Sequence, residues 1–323
     1  MADNRGGDAL RDTLVVLIGG SGFVGRHLAQ ELLSRGARLR VASRHPERAF
    51  RVKPLANLGQ VQLVRADVTR PETLASAVHG ARAVVNLVGA FGGDLDAVQA
   101  EGAGAAARAS ADAGARAFVQ VSAIGADAAS SVAYARTKAL GEARVRGAFP
   151  AATIIRPSVL FGADDAFVNM FAGLIAKLPV LPVFGAQARF QPLFVDDAAA
   201  AIANALGNPA EYGGKTYEIA GPEVIAMGEL NRRIARAQHR ERLFAELPDA
   251  LSGAIAAATG WLPGAPLSRD QWTMLKAGNV AGGTLPGIAD LGVTPRPLEL
   301  FLERWMVRYR KHGRFGTKTV PAA

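Results

Sequence analysis

The chain has 323 residues, half of them hydrophobic, with 36 glycines and few aromatics, which is enough for one large α/β domain or a domain with a smaller appendage. It has no cysteine, which excludes disulfides, thiolate metal sites and a cysteine nucleophile, and its five histidines are too scattered for ligand spacing, so no metal is expected. The formal net charge of +9 is spread along the chain as a solvated basic surface, and no stretch has the pattern of a nucleic-acid-binding module.

Residues 1–12 are polar and charged, lack the apolar core of a secretory signal, and are expected to form a short disordered head. Residues 14–25, LVVLIGGSGFVG, then run from a short apolar strand into a glycine-rich turn. A helix follows, with Phe23, Val24, Leu28, Leu32 and Leu33 at amphipathic spacing. Gly19, Gly22 and Gly25 form G-x-x-G-x-x-G. The first allows the tight turn, the second lets a pyrophosphate approach, and the third allows close helix–strand packing. The phosphates are expected at the helix N-terminus, against Ser21, Phe23 and Val24.

Further strands are predicted at 37–43, 61–67, 82–89, 117–123 and 152–157, with helices around 71–79, 94–114 and 132–148. This alternation predicts an α/β fold, a Rossmann-type doubly wound parallel sheet. The second strand ends in VASRHPER, with Ser43 and Arg44 where an acid would bind the ribose hydroxyls of NAD; the arginine favours NADP(H) over NAD(H). Asp67 and Val68 end the third strand, where an adenine would lie. Asn86 and Gly89 follow on the fourth, and Pro157 ends the strand at 152–157.

Tyr134 and Lys138 are spaced i, i+4 on one helix face, downstream of Ser122 at a strand end. A nearby ammonium and a positive nicotinamide would favour the phenolate, making Tyr134 an acid/base, with Ser122 on the same substrate oxygen and Lys138 on the nicotinamide ribose. After about residue 157 proline becomes frequent and the alternation fades, so a smaller irregular C-terminal lobe is expected over 161–310, beside a dinucleotide domain at 13–160. Some segments return to the sheet: 189–206 as a strand running into a helix, and 215–223. Residues 250–268 carry no charge but are interrupted by Gly and Pro, which suits a buried or interfacial helix better than a transmembrane span. Residues 296–318 carry seven Arg or Lys against two Glu, with Leu298, Phe301, Leu302, Trp305 and Tyr309 on one helical face. Such a helix either packs on its own domain, leaving a basic tail at 311–323, or lies on an anionic membrane surface or an acidic partner.

Through GGSGFVG, ADV, NLVG, VSAIGA, YARTK and IIRPSVLFG the chain resembles the short-chain dehydrogenase/reductase superfamily, in its extended and atypical, epimerase/dehydratase-like branch. The resemblance implies cofactor roles for Gly19, Gly22, Gly25, Arg44, Asp67, Val68 and Asn86, and catalytic roles for Ser122, Tyr134 and Lys138. NLVGAFGG and VSAIGADAAS depart from the sugar-nucleotide enzymes, which argues against a nucleotide-sugar substrate. Together with DAVQAEGA, RFQPLFVDD and KTYEIAGPE, these segments resemble the bacterial relatives of the nucleotide-binding accessory subunit of respiratory complex I. That likeness implies a structural NADPH, association with an NADH:ubiquinone oxidoreductase, and a cytoplasmic site, peripheral at the inner face of the membrane. Two readings stand: an accessory or assembly protein, or an active NAD(P)-dependent oxidoreductase or epimerase on a small or quinone-like substrate.

Overall fold

Leu14–Ile18 (β1) is apolar throughout, and its side chains alternate between two cores: Val15 and Leu17 on one face, Val16 and Ile18 on the other. The computed structural model describes residues 9–259 and 267–313. Six more strands join β1 in a seven-stranded sheet: β2 (Arg38–Ser43), β3 (Val61–Arg65), β4 (Ala83–Asn86), β5 (Ala117–Val121), β6 (Thr153–Pro157) and β7 (Thr216–Ile219). The order is β7-β6-β5-β4-β1-β2-β3, and every pairing is parallel. This is the Rossmann-type arrangement. The strand order reverses between β1 and β4, so a crevice opens beyond their carboxyl ends.

The main helices are α1 (Phe23–Ser34), α2 (Pro71–Val78), α3 (Gly102–Asp112), α4 (Ala133–Ala148), α5 (Phe167–Lys177), α6 (Val195–Gly207), α7 (Met227–Ala237), α8 (Asp249–Thr259), α9 (Arg269–Ala277) and α10 (Glu299–Met306). They fall into two compact units. The first comprises residues 1–160, 193–220 and 281–295, the second 161–192, 221–280 and 296–323. In the first, α1 and α6 cover one face of the sheet through Leu28, Leu32, Ile202 and Leu206. On the other face, α2, α3 and α4 bury Leu74, Val78, Ala106 and Val145 against Val84 and Phe118. Segment 281–295 is stitched on by hydrogen bonds that include Asn204 Nδ2 donating to the Leu291 carbonyl (2.7 Å), Glu218 N donating to the Pro286 carbonyl (3.0 Å) and Gly282 N donating to Glu218 Oε2 (2.8 Å). Residues 9–12, expected within a disordered head, form a turn that buries Leu10 in the core; residues 1–8 lie outside the described residues.

The second unit is more regular than its sequence suggests. Among its described residues are the helices α5, α7, α8, α9 and α10, a parallel strand pair, Val180–Val183 with Leu243–Glu246, and a short antiparallel pair, Arg189–Phe190 with Ile225–Ala226. Helix α7 buries Met227, Leu230 and Ile234 and exposes arginines. The span 250–268 becomes α8 with Ser252 and Ala256 buried; residues 260–266 lie outside the described residues. The aromatic face of α10 is already occupied. Phe301 and Trp305 stack at 4.8 Å and pack against Phe161, while Leu302 and Met306 are buried. Arg308 binds Asn169, and Arg310 donates to the Ala237 carbonyl at 2.9 Å. The basic amphipathic helix therefore packs its apolar face and two of its arginines on its own unit, the first of the two arrangements expected for it. Of the basic tail, residues 314–323 lie outside the described residues.

Candidate functional site

The turn after β1 is built by backbone crowding. Gly19 has a φ of +79°, and a Cβ there would meet Val88 Cγ2 at 3.0 Å. A Cβ on Gly25 would meet the Gly20 carbonyl oxygen at 2.4 Å, so α1 rests directly on the turn. Gly22, the N-cap of α1, differs: the nearest atom to its notional Cβ is the Gly19 oxygen at 3.6 Å, an ordinary van der Waals contact that a methyl group can make without displacing anything. Ser21, Phe23 and Val24 are half-buried around it. No acid lies in the first turn of α1, and a helix N-terminus at the switch point is suited to an anion such as a pyrophosphate.

Beside this turn, Ser43 ends β2 with its Oγ buried and without a hydrogen-bond partner. Such an oxygen at the carboxyl edge of the sheet suits a bound polar ligand. Arg44, exposed, joins His45, Arg65, Asp67, Arg70 and Thr73 around a cavity of about 420 Å³. Burial alone would raise the Asp67 carboxyl. Bonds from Thr69 N (3.0 Å) and Oγ1 (2.9 Å), with the charges of Arg44 and Arg70, nevertheless bring it below the usual range. Val68 is buried next to it. A larger cleft of about 640 Å³ between α2 and α3 is lined by alanines together with polar residues such as Glu101, Arg108 and Asp112, and includes neither Tyr134 nor Lys138.

The second cluster gathers at the ends of β4 and β5. Lys138, 5 % exposed, points Nζ at the carbonyls of Val121 (3.3 Å) and Val88 (3.5 Å), and a Cβ on Gly89 would meet that nitrogen at 3.4 Å. Burial pushes the ammonium down to about 8, against the opposing charge of Glu142. Nζ lies 5.9 Å from the Tyr134 ring centroid. Ser122 follows Val121, and its Oγ is buried and without a partner. The structure thus brings Gly89, Tyr134 and Lys138 together beside the strand end that carries Ser122. Pro157 accepts a bond from Ile124 N at 3.1 Å, which ties β6 to the segment after Ser122. Asn86 turns inward instead: Nδ2 donates to Gln120 Oε1 (2.9 Å), and Oδ1 accepts from Val88 N (3.2 Å). Its side chain shapes the turn that carries Val88 and Gly89.

Three features escape the sequence. The Phe91 ring lies stacked on Tyr134 at 4.7 Å, and burial pushes the phenol up to about 12, opposite to the shift an acid/base needs. A π-helical turn, Asp96–Glu101, places Gln99 Nε2 on the Ala90 carbonyl (3.2 Å) and on Thr137 (3.3 Å). Glu142, one helical turn after Lys138 and buried, takes both nitrogens of an Arg156 fork at 2.8 Å, and Arg156 reaches Glu218 at 3.8 Å. The i+4 spacing from Lys138 to Glu142 is visible in the sequence; the Arg156 pairing, made across β6, is not.

A family described as NAD(P)H-binding matches residues 19–168, which supports a nicotinamide dinucleotide as the cofactor of this chain. The chain is 32% identical over 314 residues to NADH dehydrogenase (ubiquinone) 1 alpha subcomplex subunit 9, mitochondrial, of Rattus norvegicus, covering 95% of this chain and 83% of that protein. It is 35% identical over 193 residues to ceramide reductase of Caulobacter vibrioides, covering 58% of this chain and 59% of that protein. Among solved structures, a nucleoside-diphosphate-sugar epimerase of Staphylococcus aureus superposes with a TM-score of 0.69 at 14% identity. That match covers 90% of this chain and all (100%) of the other, and it speaks to fold alone.

Proposed function

Because the chain belongs to the family of NADH dehydrogenase alpha subcomplex subunit 9 proteins, we propose that it is a nucleotide-binding accessory or assembly protein of a respiratory NADH dehydrogenase, and that the nucleotide it retains is NADP(H). The observation that carries this reading is the reach of the relationship. It spans 95% of the chain, the second unit included, whereas the likeness to ceramide reductase stops at 58%. The cavity around Arg44, Arg65 and Arg70 supports the nucleotide assignment, since three guanidinium groups match the dianionic 2′-phosphate that distinguishes NADP(H) from NAD(H). Retention without turnover is supported by Tyr134, whose half-buried phenol is raised in proton affinity and stacked by Phe91, and by Lys138, whose ammonium is engaged with two carbonyls. Among the described residues no helix is long and apolar enough to cross a membrane. The placement proposed is peripheral, at the cytoplasmic face.

The partnerless Ser122 oxygen favours a second reading, an oxidoreductase or epimerase acting on a small or quinone-like substrate. When bound, the nicotinamide would supply or accept hydride. Tyr134 would then move the proton at the substrate oxygen, Ser122 Oγ would hold that oxygen, and Lys138 would hold the nicotinamide ribose.

Gentle solubilisation of native membranes and separation of complexes by size distinguishes the two. Comigration with NADH dehydrogenase activity is expected, with Tyr134→Phe leaving both the position and the bound nucleotide unchanged. Recovery only as a small species, with NADPH-dependent turnover abolished by Tyr134→Phe, would establish the enzyme instead.

A further inference from the structure

Helix α5 is built against the usual rule for a surface helix. Its inner face buries Val168, Ala172 and Ile175. An ordinary amphipathic helix would carry polar residues opposite them. Here the outer face presents Met170 (52 % exposed), Leu174 (39 %) and Leu178 (38 %), one turn apart, with Gly173 open beside them. The polar side chain of Asn169 is spent inside the unit, on the Asp165 carbonyl and on Tyr309. Lys177 is the only charge on the helix.

The apolar surface continues past the helix. Two residues after Leu178, Val180 is 45 % exposed and lies in register opposite Leu243, which is 70 % exposed. The Leu243 N–H donates to the Pro179 carbonyl at 3.2 Å, joining the second strand to the helix end. The residues flanking this surface are cationic. Lys177 is exposed in the last turn, Arg242 donates Nε to the Ile175 carbonyl at 2.9 Å, and Arg240 donates to the Tyr309 carbonyl at 3.0 Å. Arg240 and Arg242 are close enough that burial and the neighbouring charge both lower the proton affinity of Arg240. Of the acids on the same segment, Glu246 is paired with Arg232, leaving Glu241 beside the two arginines.

We propose that this face of the second unit, Met170, Leu174, Leu178, Val180 and Leu243 flanked by Lys177, Arg240 and Arg242, docks on a membrane surface that carries anionic lipid. The argument is charge complementarity. Separated aliphatic side chains that protrude into solvent enter the acyl boundary, while the cations stay level with acidic headgroups. The exposed side chains of this face are aliphatic or thioether, while Phe167 and Phe171 on the same helix are half-buried against each other, ring centroids 5.3 Å apart. The proposal deepens the peripheral placement given above, which it rests on, and transfers it from α10, whose aromatic face is covered, to α5.

The test is flotation of the purified full-length chain with vesicles of phosphatidylcholine alone or of phosphatidylcholine with phosphatidylglycerol, beside Leu174→Asp/Leu243→Asp, Leu243→Asp alone and Lys177→Gln. The wild type is expected to float with anionic vesicles and remain below with neutral ones. Partition should fall at least tenfold in the double variant and severalfold in each single variant, with unchanged melting. Because Leu243 is 70 % exposed, its single variant keeps the test readable if the double variant fails to fold. No flotation of the wild type, or flotation that the aspartates leave intact, would overturn the proposal. Loss of comigration with the dehydrogenase in the variants, without flotation of the wild type, would also overturn it and make the face a protein contact. Flotation without comigration would support the surface while removing the accessory-subunit reading.

Discussion

At the scale of single residues, Gly22 and Gly25 stand three positions apart on one turn and should fail differently when replaced. Gly25→Ala forces a Cβ into the Gly20 backbone and should cost about 2 kcal/mol of stability, together with the bound nucleotide. Gly22→Ala has room, so urea unfolding should match the wild type within about 0.5 kcal/mol, while fluorescence titration shows weakened NADPH binding. Equal destabilisation by both would mean that the turn tolerates no side chain for steric reasons alone. The glycine spacing makes this division of labour readable in sequence, because tight turns and close approaches admit few residue types. Tyr134 and Lys138 are readable for the same reason, since i, i+4 spacing fixes a helix face. The stacking of Phe91 on Tyr134 is not, because Gly89, Gly92 and Gly93 flank it and no local period dictates where its ring goes.

At the scale of elements, α4 does more than display Tyr134 and Lys138. Its Glu142 is 2 % exposed and binds Arg156 through two bonds, so Glu142→Ala strands a guanidinium with only the 3.8 Å contact to Glu218. Breaking one side of a buried pair should cost about 3 kcal/mol in urea unfolding, whereas Arg144→Ala, which removes the exposed pair with Glu101, should cost about 1 kcal/mol or less. Comparable losses would show that the Glu142 pair is solvated and structurally minor. The strands and helices of the first unit were legible because hydrophobic period switches between 2 and 3.6 along the chain, with boundaries shifted by a few residues, as in β4 at Ala83–Asn86 against the predicted 82–89. The π-helical turn within predicted helix 94–114 leaves no trace in hydropathy, which does not resolve an extra residue per turn. Helix α5 hides for a physical reason, being apolar on both faces; α7 has a readable stripe, but the strand before it, Ile225–Ala226, is only two residues long, too short to show a period of 2.

At the scale of the molecule, a ligand held well above its dissociation constant stabilises the fold by mass action. NADPH at a hundred times its Kd should add about 2.7 kcal/mol to the nucleotide-holding unit, read as a rise in its melting temperature, with a smaller rise from NADH at equal concentration. Equal shifts would remove the case for a 2′-phosphate site around Arg44. The seven-strand sheet is assembled from distant stretches of chain, and this has a consequence during synthesis. β6 ends at Pro157 and its outer neighbour β7 starts at Thr216, so about 60 residues, most of them belonging to the second unit, leave the ribosome between the two. At about 5–20 residues per second, each new chain spends roughly 3–12 s with the N–H and C=O groups of β6 unpaired on one side. Every round of translation thus offers a holding chaperone a strand edge to guard, and the pace of the ribosome across residues 158–215 sets how long that edge stays open to other nascent chains.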